Sequence, residues 1–204
     1  MTNQGSSTSA EGRRSGEDYW AIAHQATQPP SSSIDVGFVF NGVKIWGQVN
    51  VESARRVSDA LNTPDEVIVV KNASVLTLNG EKIDDFRELM VEKRRVLVAV
   101  PKEPAGHRAS ERFVRLGLQR PDLARSDFGV VVPPFTARGQ IHLQPPINLH
   151  TVLGRLQQYF PLTDAKLLLD GVTIEENGVF LINRDYTVGM ALDQPAAAPQ
   201  ARAV

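Results

Sequence analysis

The sequence predicts an α+β, β-rich fold: two tandem small barrel-like or bent-sheet repeats, each β-α-β-β-β, joined by a connecting helix. Three observations carry this expectation. The chain matches itself at a fixed offset. Asn79-Gly80 and Asp170-Gly171 put the strongest short hairpin signals at corresponding places in the two copies. Segments rich in β-branched residues flank one short helix-like segment in each copy.

Shifting the chain by 92 positions lays residues 34–76 on 126–168 without a gap. Asp35 falls on Asp127, Gly37 on Gly129, Gly47-Gln48 on Gly139-Gln140, Ala73 on Ala165 and Leu76 on Leu168. A one-residue deletion then changes the offset to 91, and Leu78, Gly80 and Ile83 fall on Leu169, Gly171 and Ile174.

Along the chain, residues 1–33 hold seven serines and read as a disordered tail, too polar to offset chain entropy by burial. Tyr19 and Trp20 form its one aromatic pair, a candidate docking peptide. An extended stretch follows at 35–51, then a helix at 52–61 with Val57 and Leu61 one turn apart, closed by Asn62 and Pro64. Residues 67–78 and 81–91 read as a hairpin. The second arm alone could pass for a helix, but its counterpart carries β-branched residues and an internal Asn177-Gly178, which a helix resists. Turns at 92–95 and 183–185 lead into last strands at 96–100 and 187–192. In the second copy a helix is expected at 148–159, with Asn148 as N-cap and Leu149, Val152, Leu153 and Leu156 facing the core. Between the copies, 102–125 reads as an amphipathic helix with Arg108, Arg112 and Arg115 on one face. The expected divisions are thus a tail at 1–33, repeats at 34–101 and 126–193, the connector at 102–125, and a second disordered tail at 194–204.

The run Arg56-Val57-Ser58-Asp59-Ala60-Leu61-Asn62, with Gly47-x-Val49 before it and Asn72-Ala73-x-Val75 after it, resembles an uncharacterised bacterial domain of unknown function. That family reads G-x-V, then R-[LV]-S-D-x-L-N, then [ND]-A-x-V. The resemblance covers residues 43–101, and the second copy keeps Gly139, Ile141 and Asp164-Ala165-Lys166-Leu167. It implies domain limits and no activity.

Composition narrows the function classes. Twenty-two basic residues balance 23 acidic ones, which argues against a surface built mainly to neutralise nucleic acid. The absence of cysteine excludes disulfides, thiolate metal sites and cysteine nucleophiles. No apolar run reaches the roughly 18 residues of a membrane helix, and the first 16 residues lack a signal peptide's apolar stretch, so a soluble cytoplasmic protein is expected.

No catalytic, cofactor or metal motif is present, and an enzyme is not expected. His24, His107, His142 and His150 are scattered; only His142 and His150 share a repeat copy, and no Asp or Glu lies near those two in sequence. Asp84-Asp85 and Glu175-Glu176 occupy corresponding positions and could form a carboxylate site if the copies brought them together. Neighbours on a strand point to opposite faces, however, so at most one of each pair could take part. Solvated hairpin charges are the simpler reading. The candidate interaction residues are therefore Arg56, Ser58 and Asp59 of the family-like run, Lys93-Arg94-Arg95, the connector's Arg108, Arg112 and Arg115, and Tyr19 with Trp20. The leading expectation is a non-enzymatic scaffold that binds protein partners, with no cofactor. The alternative is a nucleic-acid-binding or signalling accessory protein using the basic connector.

Overall fold

A computed structural model describes residues 31–52, 56–102, 124–143 and 149–193. Their order is β1 (Ser31–Val39), β2 (Val43–Glu52), α1 (Val57–Leu61), β3 (Val67–Thr77), β4 (Lys82–Glu92), a 3-10 turn (Lys93–Arg95) and β5 (Val98–Lys102). The second series is β6 (Ala124–Val132), β7 (Phe135–Leu143), α2 (Leu149–Arg155), β8 (Tyr159–Leu169), β9 (Val172–Asn183), a 3-10 turn (Arg184–Tyr186) and β10 (Gly189–Asp193). All ten strands lie in one antiparallel sheet of order β10-β6-β7-β8-β9-β5-β1-β2-β3-β4.

The expected α+β fold of two barrel-like repeats is therefore wrong. The fold is an open, nearly all-antiparallel sheet with two short helices. In each series the fifth strand lies beside the first, so the fourth cannot return to close a barrel. Instead β5 also pairs with β9, Val98 opposite Ile182 and Ala99 opposite Leu181, and the two series merge into one sheet. The helices are shorter than their apolar spacing implies. Residues 159 onward extend into β8, and α1 starts only at Val57. The arginine connector lies outside the described residues except for Lys102 in β5 and Ala124 and Arg125 in β6, and both tails lie outside them except from Ser31 onward, which belongs to β1. Among the described residues no helix is long and apolar enough to cross a membrane.

The two series share their registers. Ile68↔Val91 and Val75↔Asp84 between β3 and β4 correspond to Phe160↔Ile182 and Leu167↔Glu175 between β8 and β9. Gly47 and Gly139 mark the same register shift in β2 and β7. Neither position admits a side chain: a Cβ at Gly47 would lie 2.5 Å from Val70 Cγ1, and one at Gly139 2.6 Å from the Thr163 carbonyl oxygen. Across from them Asn72 and Asp164 take positive φ, +49° and +48°, a conformation that Asn and Asp tolerate best after glycine. The hairpin turns differ. Asp170-Gly171 is a two-residue turn with both φ positive, as a type I′ turn requires. Around Asn79-Gly80 the loop is longer, with Gly80 N–H donating to the Thr77 carbonyl and Thr77 N–H to that of Glu81.

Two apolar cores result, and each borrows from the other series. The first gathers Val36, Phe38, Val57, Leu61 and Val70 and takes in Tyr159 and Leu181. The second gathers Phe128, Phe135, Leu162 and Phe180 and takes in Val39, Leu97, Val98 and Val100. Residues 36–39 of β1 and 98–101 of β5 are consequently buried on both faces, which accounts for the uninterrupted apolar run 96–100.

Candidate interaction surfaces

The family-like run caps a helix. Arg56 is the N-cap of α1, and its backbone N–H donates to Asp59 Oδ2 at 3.0 Å, one arm of a capping box. Ser58 lends its carbonyl to the N–H of Asn62. The side chain of Asn62 then clamps the seam: Nδ2 donates to the Tyr159 carbonyl at 2.9 Å, and Tyr159 N–H donates to Oδ1 at 2.9 Å. Arg56, Ser58 and Asp59 thus sit where the chain enters a helix whose far end holds β8, and their hydrogen bonds account for the run architecturally.

The basic cluster is divided. Lys93 is buried, and its Nζ donates to the Ala60 carbonyl and to Thr63 Oγ1, both at 2.7 Å. Burial pushes its pKa below the usual lysine value, against the opposing pull of Asp65. Arg94 and Arg95 are exposed and share Glu92, at 3.3 and 2.8 Å. Arg95 first and then Arg94 hold the Glu92 carboxyl below the ordinary range. Two of the three expected surface cations therefore remain on the surface.

The paired carboxylates do not meet. Asp85 accepts from Ser74 Oγ at 2.7 Å and pairs with Lys82, and those hydrogen bonds, Lys82's the stronger, lower its pKa. Glu175 reaches across the seam to Lys44, and Glu176 pairs with Lys166. Among the described residues no group of acidic or histidine side chains is arranged to hold a metal. His142 Nε2 lies 2.8 Å from Thr163 Oγ1, and His150 is exposed on α2. Tyr19, Trp20, His24, His107, Arg108, Arg112 and Arg115 lie outside the described residues.

Sequence reasoning missed three features. The first is a buried polar network at the seam. Tyr159 Oη donates towards the carbonyls of Lys93 and Val96, Asn183 Nδ2 donates to the Val96 carbonyl at 2.9 Å and to Tyr159 Oη at 3.1 Å, and Asn183 Oδ1 accepts from Asp185 N–H. Burial pushes the Tyr159 phenol well above its ordinary pKa. The second is a pair of shallow depressions at the two glycine bulges, one lined by Asp35, Trp46, Gln48, Asn72 and Lys102, the other by Asp127, Arg138, Gln140 and Asp164. Lys102 lies over the Trp46 ring, 4.4 Å from its centroid, and closes the first with a cation–π contact. In the second, Gln140 Oε1 is buried without a hydrogen-bond partner. Its counterpart Gln48 accepts from Asn72 Nδ2, a donor that Asp164 does not possess. Neither depression gathers convergent chemistry.

The third is the pair of sheet ends. Among the described residues strand β4 has no neighbour beyond it, and neither has β10. Met90 and Val67 are exposed at one end, Val188, Val131 and Tyr186 at the other. The consecutive apolar residues Leu89-Met90-Val91 are the local signal of this, since on a strand Met90 falls on the face opposite Val91. Unpaired edges with apolar side chains are surfaces that proteins ordinarily cover or blunt.

Comparison of the chain with protein-family models, curated proteins and solved structures finds no match.

Proposed function

We propose that this chain is a non-enzymatic protein-interaction module whose associations run through the free ends of its sheet. The observation that carries this reading is the exposure of large apolar side chains, Met90 and Val188 above all, beside strand edges that no described residue pairs with. An exposed edge offers a row of backbone donors and acceptors to an extended partner, and apolar neighbours supply the affinity. The division of the basic cluster supports it further. Lys93 is buried, and Arg94 and Arg95 are paired with Glu92, leaving little cationic surface for a nucleic acid on this element.

The reading includes two narrower proposals. One is that the two five-strand series descend from an internal duplication, supported by their shared registers and by the positive φ at Asn72 and Asp164. The other is kinship with the bacterial domain of unknown function. It is supported by the architectural tasks of the motif residues: Gly47 at a bulge, Asp59 at a cap, Asn62 at the seam.

The test is capture from native lysate at low salt by the tagged full chain, beside Met90→Lys and Val188→Lys variants. Nuclease-resistant protein partners lost with either substitution are expected. Capture of nucleic acid that falls steeply with salt and ignores both substitutions would overturn the reading in favour of the basic segments.

A further inference from the structure

We infer that the β4 end of one chain docks on the β10 end of a second copy, repeating between molecules the seam that joins β9 to β5 within one. This rests on the protein-interaction reading above and names its partner. The two surfaces already meet once inside the molecule. By the shared registers, β4 corresponds to β9 and β10 to β5, so the free ends are a second example of each side of the seam.

Burial at corresponding positions carries the argument. Met90 is 74% exposed, whereas its counterpart Leu181 lies opposite Ala99 in the seam and is 2% exposed. Val188 is 72% exposed, whereas its counterpart Leu97 is 4% exposed and accepts the Asn183 N–H on its carbonyl. Val131 is 41% exposed, whereas Val39 is wholly buried in the core of the other series. Met90, Val188 and Val131 are thus exposed where the internal seam covers their counterparts. The pairing that follows sets Met190 opposite Met90 and Gly189 opposite Val91, with the Glu92 N–H donating to the Val188 carbonyl.

The polar fastenings of the seam have no counterpart at the ends. Gly154 stands where Asn62 clamps β8, Val67 where Tyr159 donates, and Glu92 where Asn183 is buried. The association between chains is therefore looser than the seam and reversible. Charges at Asp84, Asp85, Arg87 and Glu88 along the rest of β4 confine pairing to its apolar end. Each contact joins two different surfaces, so association leads to rings or open chains rather than to a symmetric dimer.

Sedimentation of the purified full chain over a range of concentrations tests this, using Met90→Lys and Val188→Lys, two substitutions at exposed positions. Wild type is expected to grow with concentration. Each variant alone should stay monomeric, association falling at least about a hundredfold because a lysine charge would be buried unpaired. An equimolar mixture of the two variants should form dimers and nothing larger, since only one competent pair of ends remains. Monomeric wild type throughout, or a Val188→Lys variant that still dimerises, would overturn the inference. Monomeric behaviour together with edge-dependent capture of another protein would remove the self-pairing and leave the interaction reading standing.

Discussion

Replacing Tyr159 by phenylalanine isolates the polar network that fastens the two series together. The ring stays, so the apolar core keeps its volume, and only the hydroxyl is lost. That hydroxyl is buried, donates to the carbonyls of Lys93 and Val96, and accepts from Asn183 Nδ2. In the variant the Val96 carbonyl keeps Asn183 as a donor. The Lys93 carbonyl keeps the Val96 N–H as a donor, so one N–H of Asn183 is the group left stranded. A stranded buried polar group costs about 1–3 kcal/mol, and that is the loss expected here. For a chain of this size that lowers Tm by roughly 2–12 °C, measured by thermal or denaturant unfolding at neutral pH. The pH dependence gives a second reading. The native phenol holds its proton well above the ordinary value, whereas an unfolded tyrosine ionises near pH 10. Above about pH 10 the native state therefore binds more protons than the unfolded state, and wild type loses stability as pH rises. The phenylalanine variant lacks that contribution, so the gap between the two proteins should narrow there. A loss below about 0.5 kcal/mol at neutral pH, or a gap unchanged above pH 10, would refute the network.

Other substitutions probe separate parts of the account. Gly47→Ala and Gly139→Ala should each cost about 2–3 kcal/mol in denaturant unfolding, because the new methyl meets backbone oxygen within 2.7 Å in both cases. Gly129→Ala, which meets nothing within 4 Å, should stay within about 0.5 kcal/mol of wild type, and equal losses at all three positions would contradict the bulge geometry. Lys93→Met should cost about 1–3 kcal/mol at neutral pH, since the Thr63 hydroxyl loses the Lys93 donor and the Ala60 carbonyl keeps only Thr63 Oγ1 of its two side-chain donors. Because the native Lys93 pKa is lowered, the unfolded state binds more protons between that value and about 10.4. Wild type therefore gains stability with rising pH across that window, and the gap to the methionine variant should widen. Asp164→Asn should raise stability by about 1 kcal/mol, read as a higher Tm, by giving Gln140 Oε1 the donor that Asn72 gives Gln48. A neutral or lower Tm would show that Gln140 is satisfied otherwise.

How much was legible in the sequence follows from which constraints are local. Gly47, Gly139, Asn72 and Asp164 stand at positions where the backbone admits few residue types, so the matches at an offset of 92 are legible in the sequence. The hairpins were readable for the same reason, although Asn79-Gly80 takes a longer turn than its dipeptide suggests. The seam was not readable. Nothing in Val98-Ala99 or Leu181-Ile182 says which strand lies beside them, because every edge offers the same backbone groups, and only the whole sheet order decides. That one unseen pairing turned two expected barrels into an open sheet. Helix lengths were overestimated because apolar residues past Arg155 keep helical spacing while serving β8. Leu153, expected in the core, is exposed for a related reason: no strand from a further series lies against α2 as β8 lies against α1. Lys93 was misread because three consecutive basic residues look like a solvated patch. Only the 3-10 turn reveals that the first of them points beneath α1.

The central claim is that β5 and β9 join the two series into one sheet and leave β4 and β10 as its free ends. Residue-resolved amide exchange, taken at a dilution where the chain is monomeric, tests it most directly. The Asn183 N–H donates across the seam to the Leu97 carbonyl at 3.0 Å, while the corresponding N–H of Glu92 faces the open edge. Slow exchange at Asn183 beside fast exchange at Glu92 is the predicted result. Exchange at Asn183 as fast as at Glu92 would mean that no seam exists, and the sheet ends described above would lose their meaning.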